Sequence, residues 1–515
     1  MSACRLTVVG MLAGTLAVAL AGPVVAAGWG RPFDLGRSGV RVLDEVISTI
    51  ATATNGNGAV VVVWPGVRKD GRQAVEVAVG DADGSFAPTR SIDLSRGTVS
   101  DPKVAMDPSG EAVIAFTRIA PGMRAPQVMA VPIAADGRPG RARRVSPAGV
   151  PAEQPAVGMA DDGAATIVFQ RDRPFSVRPT KAPPDSLGLP DVVMASSRSA
   201  PGRFGPAVVI SAPARQIALG AGGFEPAVSM SAAGETIAAW YRNTRKEPPP
   251  AFASGRMEAA VAPPGGAFAT PAVVATVAEA TGRAGTTLTE DAAGNTVLTW
   301  QDQTHFDAAG RAAGGAFGAP ARFATRMTSE NPPAVAFGPN DTAQLVWADC
   351  LGPCDGLLST AHWTPGGPVT AGPSIHPFVG ANYYPFGGSS HGHGSKYASY
   401  TYSSTPALVF AQGRPVLTWQ QLGEPGDQEQ GDIGERNIGI EDAIGTPNSA
   451  LGIARLLSPA SHAGPYHNGL AQKSPGGFGG TFLAITLVGG GDGPVYAVWE
   501  QADQTVQASR LLMPG

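Results

Sequence analysis

The chain has 515 residues, of which 43% are hydrophobic and 15% are charged, and its formal net charge is −4. The charged fraction is low against the ~25% of an average globular protein, while the 68 glycines and 47 prolines are numerous. This composition excludes a disordered chain and gives no basic footprint for nucleic acid, so we expect a turn-rich β protein.

Residues 1–27 have the features of a secretory signal peptide. Arg5 is their one charge, an apolar run extends from Leu6 to Val25, and small residues precede a cleavage site after Ala26 or Ala27. An uncleaved anchor is the alternative, because the run is nearly long enough to span a bilayer. We therefore expect an extracytoplasmic mature chain, 28–515, that is secreted or located at the cell surface or in the periplasm without membrane insertion.

One segment recurs eight times along the mature chain. Each copy ends in an aromatic residue, and a turn residue lies six positions before it. An alternating arm, a Gly-containing turn and an arm rich in β-formers together predict a β-hairpin. The aromatics are Trp64, Phe116, Phe169, Trp240, Trp300, Trp347, Trp419 and Trp499. The turn residues are Gly58, Gly110, Gly163, Gly234, Gly294, Asp341, Gly413 and Gly493.

A second hairpin follows each first one. The stretches "VEVAVGDADGSFAPTRSIDLS" (75–95) and "MEAAVAPPGGAFATPAVVAT" (257–276) each contain a strand, a Gly turn, Phe and Pro, and another strand. Each unit therefore predicts four antiparallel strands, and such units repeated radially form a β-propeller. We expect eight blades, with seven as the alternative. An open stack of hairpins or two β-sandwich domains are the other arrangements of the same units.

The two ends of the mature chain distinguish a ring from a linear array. The stretch "AGWGRPFDL" (27–35) resembles "GAFGAPARF" (315–323), which ends a repeat. The C-terminal "TVQASRLLMPG" (505–515) matches a third strand and then stops. We therefore expect residues 28–36 to supply the fourth strand of the last blade, because ring closure removes an exposed edge.

The repeat resembles the exported β-propellers of bacteria, including sialidase-like propellers, in fold. This resemblance covers nearly the whole mature chain. The sialidase motif S-x-D-x-G-x-x-W is not matched, since the Gly-to-aromatic spacing is six here and three there. WD40 signatures and calcium loops of the D-x-D-x-D-G type are absent from the sequence. The resemblance thus implies a propeller and implies no catalytic residue, cofactor or metal.

Long connections are predicted between second and third strands and between blades. In an antiparallel four-stranded blade both kinds emerge on the same face, and loops on a rigid scaffold commonly carry function. We therefore expect this face to bind the ligand and the opposite face to have short turns. The predicted inserts are 170–191, 241–256, 301–312, 368–400, 420–437 and 459–480.

Residues just past the repeated aromatics begin these inserts and are the candidate ligand-binding residues. The candidates are Arg118, Arg171, Arg242, Asp302, Asp349 and Tyr241. The three arginines could clamp a carboxylate or sulfate, because guanidinium binds such anions bidentately. The alternative is that they are strand ends paired with Asp172, Asp302 or Glu258.

Two cysteines remain in the mature chain, in "CLGPC". A local disulfide between Cys350 and Cys354 is expected in an exported protein. His391 and His393 could ligate a metal, but no third ligand is evident, so no metal site is predicted.

These features favour a monomeric binding module without cofactor, which recognises a glycan, a cell-envelope component or an extracellular protein through the loop-rich face. No nucleic-acid partner is expected. The second hypothesis is a glycoside hydrolase or lyase acting on an anionic glycan, and a purely structural envelope protein is the third. A deep funnel with convergent carboxylates would favour the enzyme.

Overall fold

The structure, a computed structural model, describes all eight repeats in part. The predicted leader, Asp349, the Cys350–Cys354 disulfide and the two histidines lie outside the described residues. The described residues are 28–31, 33–36, 40–42, 50–94, 97–122, 125–174, 188–200, 202–213, 225–244, 253–280, 285–302, 305–324, 333–348, 358–375, 401–403, 406–423, 437–444, 455–462, 485–490, 493–500 and 506–512.

The described strands form eight antiparallel sheets, which we call blades 1 to 8. Five sheets have four strands, and in the other three, two short strands share one edge position. Apart from a short 3₁₀ helix at Pro339–Asp341, every regular element of the described residues is a strand. The predicted all-β class is therefore confirmed.

The chain opens with β1 (Gly28–Trp29) and β2 (Phe33–Asp34), which belong to blade 8. Blades 1 to 4 follow, with strands given from the first position to the fourth. They are β3 (Val40–Val42) with β4 (Ala51–Thr54), β5 (Val60–Arg68), β6 (Gln73–Gly80) and β7 (Arg90–Asp93); β8 (Thr98–Met106), β9 (Ala112–Ile119), β10 (Gln127–Ile133) and β11 (Arg143–Arg144); β12 (Ala152–Met159), β13 (Ala165–Pro174), β14 (Gly188–Arg198) and β15 (Val208–Val209); and β16 (Ala227–Met230), β17 (Thr236–Asn243), β18 (Ala253–Ala262) and β19 (Ala272–Ala280).

Blades 5 to 8 repeat this order. They are β20 (Thr287–Glu290), β21 (Thr296–Asp302), β22 (His305–Arg311) and β23 (Ala321–Ala324); β24 (Ala334–Phe337), β25 (Ala343–Ala348), β26 (Leu358–Trp363) and β27 (Thr370–Ala371); β28 (Thr401–Ser403) with β29 (Ala407–Ala411), β30 (Arg414–Gly423), β31 (Asn437–Ile444) and β32 (Arg455–His462); and β33 (Ile485–Gly489), β34 (Val495–Glu500) and β35 (Val506–Leu512).

The blades form a closed ring around the strands of the first position. Each first-position strand contacts that of the next blade, from β4 through β8, β12, β16, β20, β24 and β29 to β33. The circuit then closes, because β33 contacts β4. Eight sheets take part in this circuit, and a linear array would leave its two end blades apart.

The N-terminal segment completes blade 8, as predicted. Trp29 pairs with Leu511 and Phe33 pairs with Ala508, so β1 and β2 together occupy the fourth position beside β35. The N–H of Leu35 donates to the carbonyl of Val506 at 2.9 Å. The Leu35 side chain is only 4% exposed and lies in the core between blades 8 and 1. The last blade is therefore built from both ends of the chain.

The ring has one apolar core at each blade boundary. Residues of each second-position strand alternate between two cores, as in β5, where Val61 and Val63 face blade 2 while Val62 and Trp64 face blade 8. Strands buried on both faces lack a polar side, which explains the run "VVVVW". All eight repeated aromatics are at most 6% exposed and pack toward the preceding blade.

Two ends of the ring differ in their connections. At the turn face, where the first strand of a blade meets the second, the predicted glycines adopt left-handed φ angles between 70° and 91° at Gly58, Gly110, Gly163, Gly234, Gly294 and Gly413. Asp341 takes the same region at 59°. These turns are thus the tight hairpins that the spacing predicted. The opposite end, where second strands meet third strands and blades meet blades, is called the loop face.

The loop face carries connections of unequal length, and their bounds correct the predicted inserts. The predicted insert 301–312 is instead largely strand, because the ladder of β21 and β22 continues to the pair Asp302 and His305. Strands also extend into the other inserts. The connections run between Pro174 and Gly188, Asn243 and Ala253, Gly423 and Asn437, and His462 and Ile485, while the insert 368–400 contains β27 and an isolated bridge at Ile375.

No helix in the described part of the chain has the length and apolar character needed to cross a membrane.

Candidate functional site

The three predicted arginines lie at the loop-face ends of the second strands of blades 2, 3 and 4. The Arg118 guanidinium donates to the carbonyl of Leu94 in blade 1 at 2.7 Å. Arg171 is half-buried, between Ala152 and Val192 in the ladders of blade 3. Each arginine belongs to its own blade.

Arg242 is already neutralised by a carboxylate. Its Nε and one terminal nitrogen donate to Glu258 Oε1 at 2.8 and 2.6 Å. The side chains of Arg242 and Glu258 are only 16% and 5% exposed. This is the strand-end pairing that the sequence offered as the alternative to an anion clamp, and it leaves Arg242 little charge to offer a ligand.

The remaining candidates have different environments. Tyr241 is 4% exposed and packs in the core between blades 4 and 5, where a ligand would not reach its ring. The backbone of Asp302 closes the hairpin of blade 5 opposite His305. Asp349 lies beyond the described ranges. The predicted binding roles of these residues stay predictions.

A polar residue stands opposite each repeated tryptophan, a feature that the sequence analysis missed. In antiparallel ladders directly opposed residues point to the same face. Where the aromatic is Phe116 or Phe169, which have no N–H, the opposed residue is Met129 or Met194. The tryptophans pair as Trp64 with Glu76, Trp240 with Glu258, Trp300 with Asp307, Trp347 with Ser359, Trp419 with Glu441 and Trp499 with Gln507.

Three of these acids are buried carboxylates with fixed partners. Glu76, at 0% exposure, accepts the hydroxyl proton of Ser91, whose oxygen lies 2.6 and 2.8 Å from the two carboxylate oxygens. Glu258 accepts the Trp240 indole N–H at 3.2 Å in addition to Arg242. Asp307 accepts two hydrogen bonds from Arg322 of the fourth strand, one from Nε at 2.9 Å and one from a terminal nitrogen at 3.0 Å. They lie at three different blade boundaries, beside the tryptophans that they oppose.

The sequence does contain the signal for this feature. The third strands read "VEVAV", "MEAAV", "FDAAG" and "VQASR", with the polar residue second. A buried indole N–H favours an acceptor opposite it, and Trp240 uses Glu258 in this way. The indole N–H groups of Trp300, Trp347 and Trp419 are buried without a hydrogen-bond partner, so the polar register alone does not satisfy them.

Glu290 is the one acid at its position of the first-strand repeat, where blade 1 has Thr54. Four positions before the turn residue, blades 2, 3 and 4 have Met106, Met159 and Met230. Both carboxyl oxygens of Glu290 are buried without a hydrogen-bond partner. Burial raises the pKa of Glu290 from 4.5 to about 7, and the nearby Ser229 hydroxyl and Arg311 guanidinium offset only part of this effect.

We expect the free energy of unfolding to fall as pH rises from about 4.5 to about 7 and to level off above that range. A carboxyl whose pKa is higher in the folded state binds its proton more tightly there, so its deprotonation favours unfolding. The loss is about 2 to 3 kcal/mol at ~1.4 kcal/mol per pKa unit, reduced for partial exposure. Glu290→Met should remove this slope and stabilise the protein at pH 8, measured by urea titration at several pH values.

Asp81→Asn provides the control, because Asp81 is exposed on the same face of the ring. This variant should keep the wild-type slope. An unchanged slope in Glu290→Met would show that another group titrates.

No group of three or more histidine, cysteine or acidic residues that could hold a metal ion occurs among the residues described by the structure.

No protein-family model and no curated protein matches this sequence. Similar solved structures include a lectin from Burkholderia pseudomallei, at 14% identity and a TM-score of 0.46 over 80% of this chain and 99% of the lectin chain. Another is an α-L-arabinofuranosidase of Fusarium graminearum, at 11% identity and 0.39 over 67% and 98%. A third is the β-propeller domain of a protease from Pyrococcus furiosus, at 8% identity and 0.37 over 80% and 99%. At these values the likeness is at most one of fold, and the strand pairing itself establishes that fold as a β-propeller.

Proposed function

We propose that this chain is an exported binding propeller that recognises a glycan, a cell-envelope component or an extracellular protein at its loop face. One observation supports this most: a ring closed by its own two ends carries its long, unequal connections at one end. At the other end the turns between first and second strands are tight and nearly identical. A rigid scaffold with one differentiated face suits recognition better than it suits a purely structural role.

A glycan is the ligand class to test first, with turnover monitored in the same assay. The enzyme alternative relies on an arginine clamp, and Arg242 gives that clamp little support because Glu258 holds its guanidinium. Buried carboxylates with fixed partners at separate boundaries likewise give no acid and base pair. Binding without turnover is therefore the preferred function.

The test is a glycan array probed with the mature chain, 28–515, and with loop-replacement variants. A short Gly-Ser linker replaces residues 177–185 or 426–434 on the loop face. The matched control replaces residues 446–453, which connect β31 to β32 at the turn face. We expect the control to bind as the wild type and at least one loop-face variant to lose binding.

Two results would contradict the proposal. One is the absence of any bound glycan, envelope polymer or protein. The other is equal binding by all the loop-face variants and the turn-face control. Release of new reducing ends or unsaturated products during binding would instead support the hydrolase or lyase.

A further inference from the structure

Between blades 1 and 2 the side wall of the ring has an open groove of about 390 Å³. Its floor is apolar: Ile92, Leu94 and Met129 are each at most 7% exposed. Its walls include Ser91, the anchored guanidinium of Arg118, the exposed Arg141 and the exposed Asp93, which pairs with Arg68. The groove therefore has an aliphatic floor, and its walls carry two arginines and one acid that is paired outside the groove lining.

The groove lies beside the densest run of basic residues in the chain. Residues 138–144, "RPGRARR", contain four arginines in a protein whose net charge is −4. Arg141, Arg143 and Arg144 are exposed along the outer edge of blade 2, and Arg90 is exposed on the outer strand of blade 1. The protein as a whole is acidic, so a positive surface can form only where arginines cluster, as they do here.

The acids near this run are already paired. Asp93 lies 3.0 Å from Arg68, and Asp136 pairs with Arg138. Glu76 is buried and accepts the Ser91 hydroxyl. Asp136 also lies close enough to Arg90 to interact with its charge. Arg141, Arg143 and Arg144 have no ion pair with another described residue, so their charges are available to a ligand from solution.

The arrangement fits a chain of anions better than a single small anion. Arginines spaced along one edge can each meet a different carboxylate or sulfate, and guanidinium binds either group through two parallel hydrogen bonds. Nucleic acid is disfavoured, because no aromatic side chain lines the groove to stack on bases. We propose that this groove and its arginine edge form a binding site for an acidic polysaccharide bearing carboxylate or sulfate groups.

This site lies on the side wall and does not require the loop-face proposal, so each can fail alone. The probes are polygalacturonate and dextran sulfate, with neutral dextran and a single-stranded DNA oligonucleotide for comparison. The test variant is Arg141→Ala/Arg143→Ala/Arg144→Ala. The matched control, Arg31→Ala/Arg203→Ala/Arg256→Ala, removes the same charge from exposed positions of three other blades.

We expect the mature chain to bind at least one acidic polysaccharide, with affinity that falls as salt rises because exposed charges are screened. The groove variant should lose at least tenfold in affinity, while the control stays within about twofold, in keeping with charge-assisted contacts. Arg118→Gln, which keeps a donor for the Leu94 carbonyl, should weaken binding by a smaller factor. Melting curves of each variant confirm that folding is intact.

Several results would overturn the inference. They are no binding of either acidic polysaccharide, equal loss in the groove and control variants, or tighter binding of the DNA oligonucleotide that is lost in the groove variant. If any of these results is found and the groove variant still binds loop-face ligands as the wild type does, the groove site is wrong and the proposed function is unaffected.

Discussion

In the chain 28–515, removal of residues 28–36 should cost more stability than any single substitution, on the order of 5 kcal/mol or more. The deletion removes all of β1 and β2, takes Leu35 out of the core between blades 8 and 1, and takes Trp29 from the core between blades 7 and 8. It also removes the Leu35 carbonyl that accepts the Thr89 hydroxyl of blade 1. The free edge of β35 would then be open to pairing with other chains.

The deletion is measured by urea unfolding and by size-exclusion chromatography of the truncated chain. Leu35→Ala should alone cost about 2 to 5 kcal/mol, as for other buried leucines. Arg31→Ala, an exposed change in the same segment, should have an effect within ~0.5 kcal/mol. A truncated chain that unfolds at the wild-type urea concentration would show that the segment contributes nothing to the ring.

Glu258→Ala should destabilise the protein by about 3 to 5 kcal/mol. The substitution leaves the nearly buried Arg242 without its carboxylate and the Trp240 indole N–H without its acceptor. An unpaired buried charge costs more free energy than a lost neutral hydrogen bond. Glu258→Ala should therefore destabilise the protein more than an ordinary large-to-small substitution at a residue as buried as Glu258. Urea titration at pH 7 measures the difference.

Replacement of both Glu258 and Arg242 separates two contributions to the free energy of unfolding: that of the ion pair itself, and the cost of leaving one charge unpaired. Glu258→Met/Arg242→Met should recover the part of the loss that comes from the unpaired charge, while the Trp240 indole N–H still lacks its acceptor. If the double variant is as unstable as Glu258→Ala, the loss arises from something other than the orphaned charge. Retention of ligand by the double variant would exclude Arg242 from the binding site.

The sequence predicted the parts of the fold that depend on local geometry. A turn that needs a left-handed residue selects glycine, so Gly58, Gly110 and Gly163 marked their hairpins at a fixed spacing. The closure of the ring was predictable because the first and last segments are fragments of one repeat. Strand extents were less accurate, as at 301–312, because backbone pairing continues beyond the alternating core positions.

The candidate site was less predictable than the fold, because it depends on contacts between distant residues. Arg118 and Arg242 occupy equivalent positions of the repeat, yet one donates to a carbonyl of the preceding blade and the other to a carboxylate of its own. The groove combines residues 91–94 with 139–142, and only the packing of blades 1 and 2 brings them together. A charge run such as "RPGRARR" shows where positive charge collects but not which surface lies beside it.

Cross-linking of the two ends of the chain tests the closed ring most directly. Asp34 and Gln507 are paired in the ladder, and the Gln507 amide donates to the Asp34 carboxylate at 2.9 Å. Asp34→Cys/Gln507→Cys, in a Cys350→Ser/Cys354→Ser background, should therefore form a disulfide between residues 34 and 507 under mild oxidation, detected by mass spectrometry after proteolysis. We expect near-complete cross-linking within one molecule, with none for Asp34→Cys/Gln344→Cys, whose second site lies in blade 6. Absence of the 34–507 cross-link in the folded protein, or its formation only between molecules, would contradict the closed ring.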